Sequence, residues 1–265
     1  MANPNKTIRV STDHHGVSTL VLDRPEVHNA FDDVMIREFR QALENLDNDD
    51  QTRIVLLRAE GRSFSAGADL KWMKRAVHFT EEENYEDAMA LAGMLSTLDN
   101  LSKPTVAYAQ GPAFGGGVGL LSCCDIVTAV ETAVFALSEA RLGLVPAVIS
   151  PYVVRAIGAR AARRFFQSAE RFDTREAHRI GLVHEIVISD AGLKPILDAL
   201  LQGGPNAQRI SKRLVSRVQY SPVTTDLLEH TARTIASARV SEEGQEGLNA
   251  FLEKRSSSWS KPGRK

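Results

Sequence analysis

The segment GPAFGGGVGLLSCCDI, residues 111–126, sets three consecutive glycines in front of an apolar run. Glycine inside a helix costs about 1 kcal/mol relative to alanine, so Gly115–Gly117 are expected where an element begins. The N–H groups at a helix start have no intrahelical acceptor, and glycine lets a bound group approach them closely. The cluster therefore predicts either an oxyanion-binding helix start or a helix packed tightly on a strand, and alone it favours neither.

Two other glycine-rich patterns do not fit this segment. Gly111 and Gly116 have the P-loop spacing, but Gly117 and Val118 stand where a P-loop requires Lys and then Ser or Thr. The dinucleotide pattern G-x-G-x-x-G ends on Leu120 instead of glycine. Binding of nucleotide phosphates through this turn is therefore not expected.

A second segment, RSFSAGADLKWM at residues 62–73, supports the oxyanion interpretation. It also follows a predicted strand, RIVLLRAEG, and carries a turn of small residues at Ala66, Gly67 and Ala68. Such a turn would supply a second N–H donor beside the first. Asp69 in this segment is typical of a helix cap, and capping is an alternative to any role in binding.

The chain around these segments alternates strands with helices. A hairpin is predicted at residues 6–25, and five apolar residues spaced as one helix face come after it. These five are Phe31, Met35, Phe39, Leu43 and Leu46. Further strands are predicted at PTVAYAQG, DIVTAV and VHEIV. Strands separated by helices favour crossover connections and an α/β core.

Strand patterns stop near residue 190, which suggests two parts of the chain. We expect a core at residues 1–198 and a helical region at residues 199–265, with breaks at QGGPN and at Ser221-Pro222. The closing SSSWSKPGRK is polar, and we expect it to be mobile.

The composition argues against several classes of protein. The 265 residues are 43% hydrophobic and 25% charged, which is typical of a globular protein with a full core. A net charge of −1 argues against nucleic acid or an anionic membrane as the main partner. The start lacks a signal or transit pattern, and no apolar run reaches the ~20 residues of a membrane span. The neighbours Cys123 and Cys124 are expected to be packed thiols in a helix, and this use of cysteine predicts a reducing cytoplasm.

Catalytic patterns based on a metal or on a serine nucleophile are missing from the sequence. The histidines show no H-E-x-x-H or other ligand spacing, and no G-x-S-x-G motif occurs. We therefore expect no metal site and no catalytic histidine.

Several segments together resemble the crotonase (enoyl-CoA hydratase/isomerase) superfamily over almost the whole chain. LDRPEVHNAF resembles the exit of its first strand, and FSAGADL and GPAFGGGVGLLSCCDI resemble its two oxyanion segments. LSEARLGLVP resembles the segment with a catalytic glutamate, and AFLEKR resembles the C-terminal helix. Any one of these motifs is weak evidence, whereas the whole set is highly specific.

The resemblance implies an α/β spiral of repeated ββα turns with a C-terminal helical trimerisation region, assembled as a homotrimer or a dimer of trimers. It implies an acyl-CoA thioester substrate and no separate cofactor, because coenzyme A is part of the substrate. By motif position, the N–H groups of Ala68 and Gly116 form the oxyanion hole and Glu139 is the catalytic acid/base. The residues expected to line the coenzyme A channel are Ala66, Asp69, Leu70, Val27 and Lys254.

Partial burial would raise the pKa of Glu139 and suit it for proton transfer. Its neighbours Leu137, Leu142 and Leu144 predict such burial. The alternative is a surface glutamate that caps a helix or forms an ion pair. The match of the local motif favours the catalytic role.

One position departs from the family pattern. Typical hydratases of the family carry another glutamate in the helix after the glycines, where this chain has Gly119. Three explanations stay open: Glu139 alone hydrates the substrate by syn addition, a single base isomerises a double bond, or only acyl-CoA binding remains. In the first, the space at Gly119 is expected to hold an ordered water or a branch of the substrate.

The residues after Pro146 refine the expected substrate. Val148–Tyr152 replace a glycine-rich stretch, and with Gly119 they resemble bacterial hydratases of branched glutaconyl-CoA thioesters. The resemblance implies hydration of 3-methylglutaconyl-CoA in leucine breakdown, or of isohexenylglutaconyl-CoA in terpene breakdown. Such substrates carry a free carboxylate that needs a cationic or hydroxyl partner. The candidates for this partner are Arg141, Ser150, Tyr152 and Arg155.

Overall fold

The computed structural model describes residues 7–260, which form nine β-strands and ten α-helices. The strands are β1 Ile8–Thr12, β2 Val17–Leu22, β3 Ile54–Ala59, β4 Thr105–Ala109, β5 Ala113–Phe114, β6 Ile126–Val130, β7 Val134–Ala136, β8 Arg171–Asp173 and β9 Glu185–Val187. The helices are α1 Asp33–Asn48, α2 Leu70–Ala76, α3 Glu81–Asp99, α4 Gly116–Cys123, α5 Ser150–Ser168, α6 Thr174–Arg179, α7 Lys194–Gln202, α8 Pro205–Val218, α9 Thr225–Val240 and α10 Glu242–Leu252. None of the helices in this range is long and apolar enough to cross a bilayer.

Six strands form one sheet in the order β1-β2-β3-β4-β6-β9. β1 and β2 are antiparallel, and every later pair of neighbours is parallel. Parallel neighbours require crossover connections, which α1, α3 and α4 provide between successive strands. The predicted hairpin, the predicted strands and the α/β class are confirmed.

The strands of this sheet separate two apolar layers. In β3, Val55 and Leu57 belong to the main core, whereas Ile54 and Leu56 belong to a smaller cluster on the opposite face. Helices α1, α3, α4 and α5 cover the main core, and α7 covers the smaller cluster. The predicted apolar helix face is buried as expected, although Phe31 lies just before α1.

A second set of paired segments positions the two small-residue turns. β5, β7 and β8 form a short sheet, and two isolated bridges extend its pairing toward the N-terminus. Ser65 pairs with Ala113, and Phe31 pairs with Ala68. Each early turn of the chain thus adds one strand to the large sheet and one extended segment to this second set. The turn at residues 66–68 and the glycines of α4 become neighbours as a result.

The C-terminal part of the described chain is helical, as the sequence predicts. The division expected at residue 198 falls inside α7, whose Leu197, Leu200 and Leu201 pack on the smaller cluster. α8 follows the predicted break at QGGPN, and α9 follows the break at Ser221-Pro222.

The described part of the tail that the sequence predicts to be mobile makes specific contacts with the rest of the chain. Trp259 Nε1 donates a hydrogen bond to the carbonyl of Gln202 at 3.0 Å. The Arg53 guanidinium donates to the carbonyls of Trp259, Leu201 and Gly203. These bonds tie the end of the described chain to the C-terminus of α7, while residues 261–265 of the tail lie outside the described range.

Cys123 ends α4 and Cys124 follows it directly. Both are buried and free, which confirms that they are packed thiols. Burial raises the pKa of Cys124 to about 12, so the reactive thiolate is not formed near neutral pH.

Candidate active site

The turn at residues 65–69 is braced by the chain between Arg24 and Phe31. Buried Asn29 accepts a hydrogen bond from the Arg24 N–H and donates through Nδ2 to the carbonyl of Ser63 at 2.9 Å. The Phe31 N–H donates to the carbonyl of Gly67 at 2.7 Å. These bonds satisfy buried polar groups and hold the turn in one position.

Buried and exposed residues alternate from residue 65 to residue 70. Ala66, Ala68 and Leu70 are exposed, and the residues between them are buried. Asp69 is only 3% exposed; its carboxylate caps α2 and forms an ion pair with Arg24 at 3.1 Å. The predicted cap is confirmed. The side chain of Asp69 is held in this buried brace, and a place for Asp69 along the coenzyme A channel stays a prediction.

The glycines that begin α4 lie against groups that leave no room for side chains. A Cβ on Gly116 would lie 2.8 Å from Cε2 of the Phe31 ring. A Cβ on Gly117 would lie 2.8 Å from the carbonyl oxygen of Ser65. The glycine cluster therefore serves tight packing as well as leaving the start of the helix bare.

Two backbone N–H groups at this junction donate no hydrogen bond within the part of the chain that the structure describes. The Phe31 N–H donates to Gly67 and the Asp69 N–H donates to Phe31, which leaves the Ala68 N–H between them without an acceptor in residues 7–260. Gly116 is the first residue of α4, and its N–H also has no protein acceptor in that range. A Cβ on Gly67 would lie 3.5 Å from the Gly116 nitrogen, so the two segments are in contact.

Glu139 begins a short 3₁₀ turn, Glu139–Leu142, immediately after β7. A Cβ on Gly115 would lie 3.1 Å from Glu139 Oε1, and Gly115 itself has the left-handed φ of +49°. Glu139 Oε2 is buried and has no hydrogen-bond partner within the described chain. Burial raises the pKa of this carboxyl, although its own backbone N–H partly opposes the shift. An unpaired carboxylate thus lies beside the start of α4, where a free N–H is found.

The neighbours expected to bury Glu139 are only partly responsible for its burial. Leu137 is buried, but Leu142 and Leu144 are 60% and 55% exposed, which corrects the sequence expectation. Contact with Gly115 contributes to the burial, because a glycine there lets the carboxylate approach the start of α4.

Comparisons with known proteins identify this arrangement. The family model described as enoyl-CoA hydratase/isomerase matches residues 12–262. The chain belongs to that family. An enoyl-CoA hydratase structure from Shewanella pealeana is 48% identical, covers 97% of both chains and has a TM-score of 0.94. The structure of AtuE from Pseudomonas aeruginosa is 35% identical, covers 97% of this chain and 100% of its own, and has a TM-score of 0.92. The enoyl-CoA hydratase ACTT6 of Alternaria alternata is 32% identical over 89% of this chain and 78% of its own.

The chain is therefore a hydro-lyase of the enoyl-CoA hydratase type with the crotonase fold. The contact between the turn at residues 66–68 and the start of α4 agrees with the two oxyanion segments that the resemblance implies. Within residues 7–260, no group of three or more His, Cys, Asp or Glu side chains is placed to hold a metal ion.

The position of Gly119 corrects the sequence interpretation of this enoyl-CoA hydratase. Gly119 is buried, and a Cβ there would overlap Ile149 Cγ2 and lie 3.0 Å from Ile149 Cβ. Ile149 is 3% exposed and directly precedes α5. The space expected at Gly119 for a water or a substrate branch is therefore filled by the isoleucine.

Two other predicted channel residues lie in different places. Val27 is half-buried at the end of a short turn, Pro25–Val27, in the segment that braces residues 65–69. Lys254 is exposed just after α10 with a φ of +54°. Its N–H donates to the carbonyl of Phe251, and within the described chain it makes no hydrogen bond to the two oxyanion segments. One chain alone does not bring Lys254 to the site.

The four candidates for a substrate carboxylate differ in availability. Arg155 forms an ion pair with Asp99 and lies over the Tyr152 ring, so both are committed to a cluster between α3 and α5. Ser150 donates its hydroxyl to the carbonyl of Ala147. Arg141 is exposed and makes no side-chain hydrogen bond or ion pair within residues 7–260.

Sequence reasoning missed the residues that support the site from outside the motifs. Ile149, Phe31 and Asn29 each contact a site segment that is distant in sequence. The spacing of Phe31 predicts only a place on a helix face, and Ile149 is notable in the sequence only as part of an unusual stretch. Their spatial neighbours could not be found from periodicity, because the contacts connect different turns of the spiral.

Proposed function

We propose that this enzyme adds water across the 2,3 double bond of a 2-enoyl-CoA thioester. The observation that carries the proposal is the unpaired, buried carboxylate of Glu139 beside the free N–H groups of Ala68 and Gly116. The two N–H groups hold the thioester oxygen as it gains enolate charge, an effect worth roughly 3–4 kcal/mol per donor in comparable sites.

In this proposal Glu139 carries out both proton transfers. Its carboxylate takes a proton from water while the water oxygen bonds to C3, and the C2–C3 π electrons move into the enolate. The protonated carboxyl then donates its proton to C2 as the enolate collapses. One carboxyl group on one face of the substrate gives syn addition. Each step uses only this chain, water and the substrate, so the proposal includes no separate cofactor.

Two alternative functions would use the same groups as the proposed hydratase. An enoyl-CoA isomerase would use Glu139 to move a proton between two carbons without adding water. A non-catalytic acyl-CoA-binding protein would keep the N–H groups and lose turnover. The buried, unpaired Oε2 favours a reaction over binding alone, because an idle carboxylate at that position carries a desolvation cost with no compensating bond.

The entrance next to Ala66 supports coenzyme A binding. A cavity of about 430 Å³ is lined there by Ala66 and Phe114 together with three basic side chains, His28, Arg62 and Arg171. Arginine and histidine suit the phosphates of coenzyme A. We propose that exposed Ala66 and Leu70, with Val27, line the channel that leads from this cavity to Glu139.

The finer proposal is that the substrate is 3-methylglutaconyl-CoA, with isohexenylglutaconyl-CoA as the second candidate. Arg141 supports a diacid substrate, because it is a cation two residues from Glu139 that forms no ion pair within residues 7–260. Packing of Ile149 on Gly119 removes the argument that Gly119 makes room for the branch. Arg141 is therefore the residue on which the diacid proposal now depends.

The test compares loss of enoyl-thioester absorbance with 3-methylglutaconyl-CoA and crotonyl-CoA. Wild type is expected to prefer the diacid, and Arg141→Gln is expected to lower kcat/KM for the diacid about tenfold while sparing crotonyl-CoA. Arg163→Gln is the matched control, since Arg163 is also exposed and unpaired in the described chain. Equal loss for both substrates, or no preference in wild type, would contradict the diacid proposal. Absence of water addition to either substrate would favour the isomerase or the binding protein.

We also propose that residues 199–265 mediate assembly into a cytoplasmic homotrimer or a dimer of trimers. Exposed apolar side chains on the last helices and the segment before them support an interface between copies of the chain. These side chains are Val223, Leu228, Val240, Phe251 and Leu252. Contact with a neighbouring copy is also the way in which Lys254 would reach a site.

A further inference from the structure

One arginine joins the N-caps of two helices next to the first oxyanion segment. Arg24 Nη1 forms an ion pair with Asp32 at 2.9 Å, and Arg24 Nη2 forms one with Asp69 at 3.1 Å. Each carboxylate uses its other oxygen to cap a helix. Asp32 Oδ1 accepts from the Met35 N–H at the start of α1 at 2.9 Å. Asp69 Oδ1 accepts from the Lys71 N–H at the start of α2 at 2.7 Å. The guanidinium therefore connects the starts of α1 and α2.

The two N-caps directly follow the two residues of the bridge that carries the Ala68 N–H. Phe31 and Ala68 pair in this bridge, Asp32 follows the first and Asp69 follows the second. The Phe31 N–H donates to the carbonyl of Gly67 at 2.7 Å. The Asp69 N–H donates to the carbonyl of Phe31 at 2.8 Å. The guanidinium thus ties the two strands of the bridge together one residue beyond each of its members.

We propose that Arg24 is a positioning residue, which holds the Ala68 N–H in the orientation that the thioester oxygen requires. This inference rests on the proposed function for the use of that N–H. In this role Arg24 acts through the two carboxylates and not by contact with the substrate. A planar guanidinium suits the role, because its separate N–H groups can bind two carboxylates at fixed angles.

Burial makes the Arg24–Asp69 pair important for charge as well as for shape. The two side chains are 16% and 5% exposed, so water screens their charges little. Asp69 directly follows Ala68, and an unpaired carboxylate at that position would oppose the negative charge that develops on the thioester oxygen. Loss of Arg24 would therefore loosen the bridge and also leave a buried negative charge beside the donor.

The experiment measures how strongly the enzyme favours the enolate of bound acetoacetyl-CoA. This probe loses a proton from C2, and its enolate carries charge on the thioester oxygen and absorbs in the near ultraviolet. Arg24→Gln is expected to lower the ratio of bound enolate to bound keto form about tenfold at fixed pH, because only the enolate depends on the strength of the N–H donors. The dissociation constant of butyryl-CoA, measured as the uncharged reference, is expected to change about twofold or less.

Arg9→Gln is the matched control, because Arg9 also pairs with two carboxylates but lies on the edge strand β1. Its partners are Asp23 at 2.6 Å and Glu60 at 2.5 Å, and its side chain is 48% exposed. The enolate ratio of Arg9→Gln is expected to stay within about twofold of wild type. An unchanged ratio in Arg24→Gln, or an equal decrease in Arg9→Gln, would overturn the proposal.

A second variant and the wild type complete the test. If Arg24→Gln does not fold, Arg24→Lys decides the question, and a decrease of about threefold is expected because one ammonium group cannot span both carboxylates. An unchanged ratio in that variant would overturn the proposal. Wild type is expected to hold more enolate than free acetoacetyl-CoA does at the same pH. No such gain would refute the oxyanion hole, and with it the proposed function and this inference, whereas a gain that Arg24→Gln preserves would refute only the role of Arg24.

Discussion

The N-terminal end of α4 and its second turn both carry glycine, but for different physical reasons. At Gly115 the missing side chain admits the Glu139 carboxylate, and at Gly116 it leaves a free N–H next to the Phe31 ring. At Gly119 the missing side chain admits the Ile149 hydrocarbon. Over the first turn of α4 the surroundings of the backbone therefore change from a carboxylate suited to proton transfer to a packed hydrocarbon.

The difference shows how a single carboxylate can be kept isolated. A second acid on the next turn of α4 would meet Ile149, so Glu139 Oε2 stays without a hydrogen-bond partner in the described chain. Burial without a partner raises the pKa of Glu139, which brings it closer to the range useful for proton transfer. The packing of Ile149 on Gly119 thus helps to keep the Glu139 carboxylate isolated.

The largest expected effect comes from removing the Glu139 carboxylate, which lies against the start of α4. Glu139→Gln keeps the shape of the side chain and removes the base, and general acid–base catalysis contributes about 10²–10⁴-fold. We expect kcat/KM for the best enoyl-CoA substrate to fall by that factor while the dissociation constant of a saturated acyl-CoA changes about twofold or less.

The matched control for that change is Glu131→Gln, because Glu131 is an exposed and paired glutamate instead of a buried one. Glu131 is exposed and forms an ion pair with Arg175 at 2.5 Å. Its loss is expected to leave kcat/KM within about twofold of wild type. Comparable kcat/KM values in Glu139→Gln and Glu131→Gln would refute the catalytic role of Glu139.

A smaller effect sharpens the same comparison through stability. Because the pKa of Glu139 is raised in the folded enzyme, its contribution to stability is fully present below about pH 4.3, the ordinary glutamate value, and is lost as pH rises through the raised pKa. Glu139→Gln should therefore melt at a higher temperature than wild type at pH 8, with the difference shrinking toward pH 5. Thermal unfolding across this pH range checks the sign, and a difference that grows on acidification would contradict the desolvated carboxylate.

Much of the fold could be predicted from local patterns. The hairpin, the parallel strands, α1 and the helical C-terminal part follow from the period of apolar residues, and that period survives in the structure because each element buries one face. The start of α4 at Gly116 follows from the poor fit of glycine to a helix interior. The role of Asp69 as a cap follows from its place before an apolar run.

The rest of the site depends on contacts between distant segments. A glycine at position 119 predicts unoccupied volume beside α4. That volume is occupied by Ile149, which lies 30 positions later in the chain. The sequence predicts that Leu142 and Leu144 bury Glu139, but both leucines are exposed. Contact with Gly115 contributes to the burial instead. The pairing of Phe31 with Ala68 joins two turns of the spiral and has no local signal.

The central claim is that one carboxylate, Glu139, handles both protons of the reaction, and its most direct test is the stereochemistry of water addition. Hydration of the best enoyl-CoA substrate in D₂O, with the product analysed by NMR, reports on which faces of C2 and C3 the deuterium and the hydroxyl are added. The account predicts syn addition, because both come from the side of the substrate that faces Glu139. Anti addition would require a second proton-transferring group on the opposite face and would contradict the account.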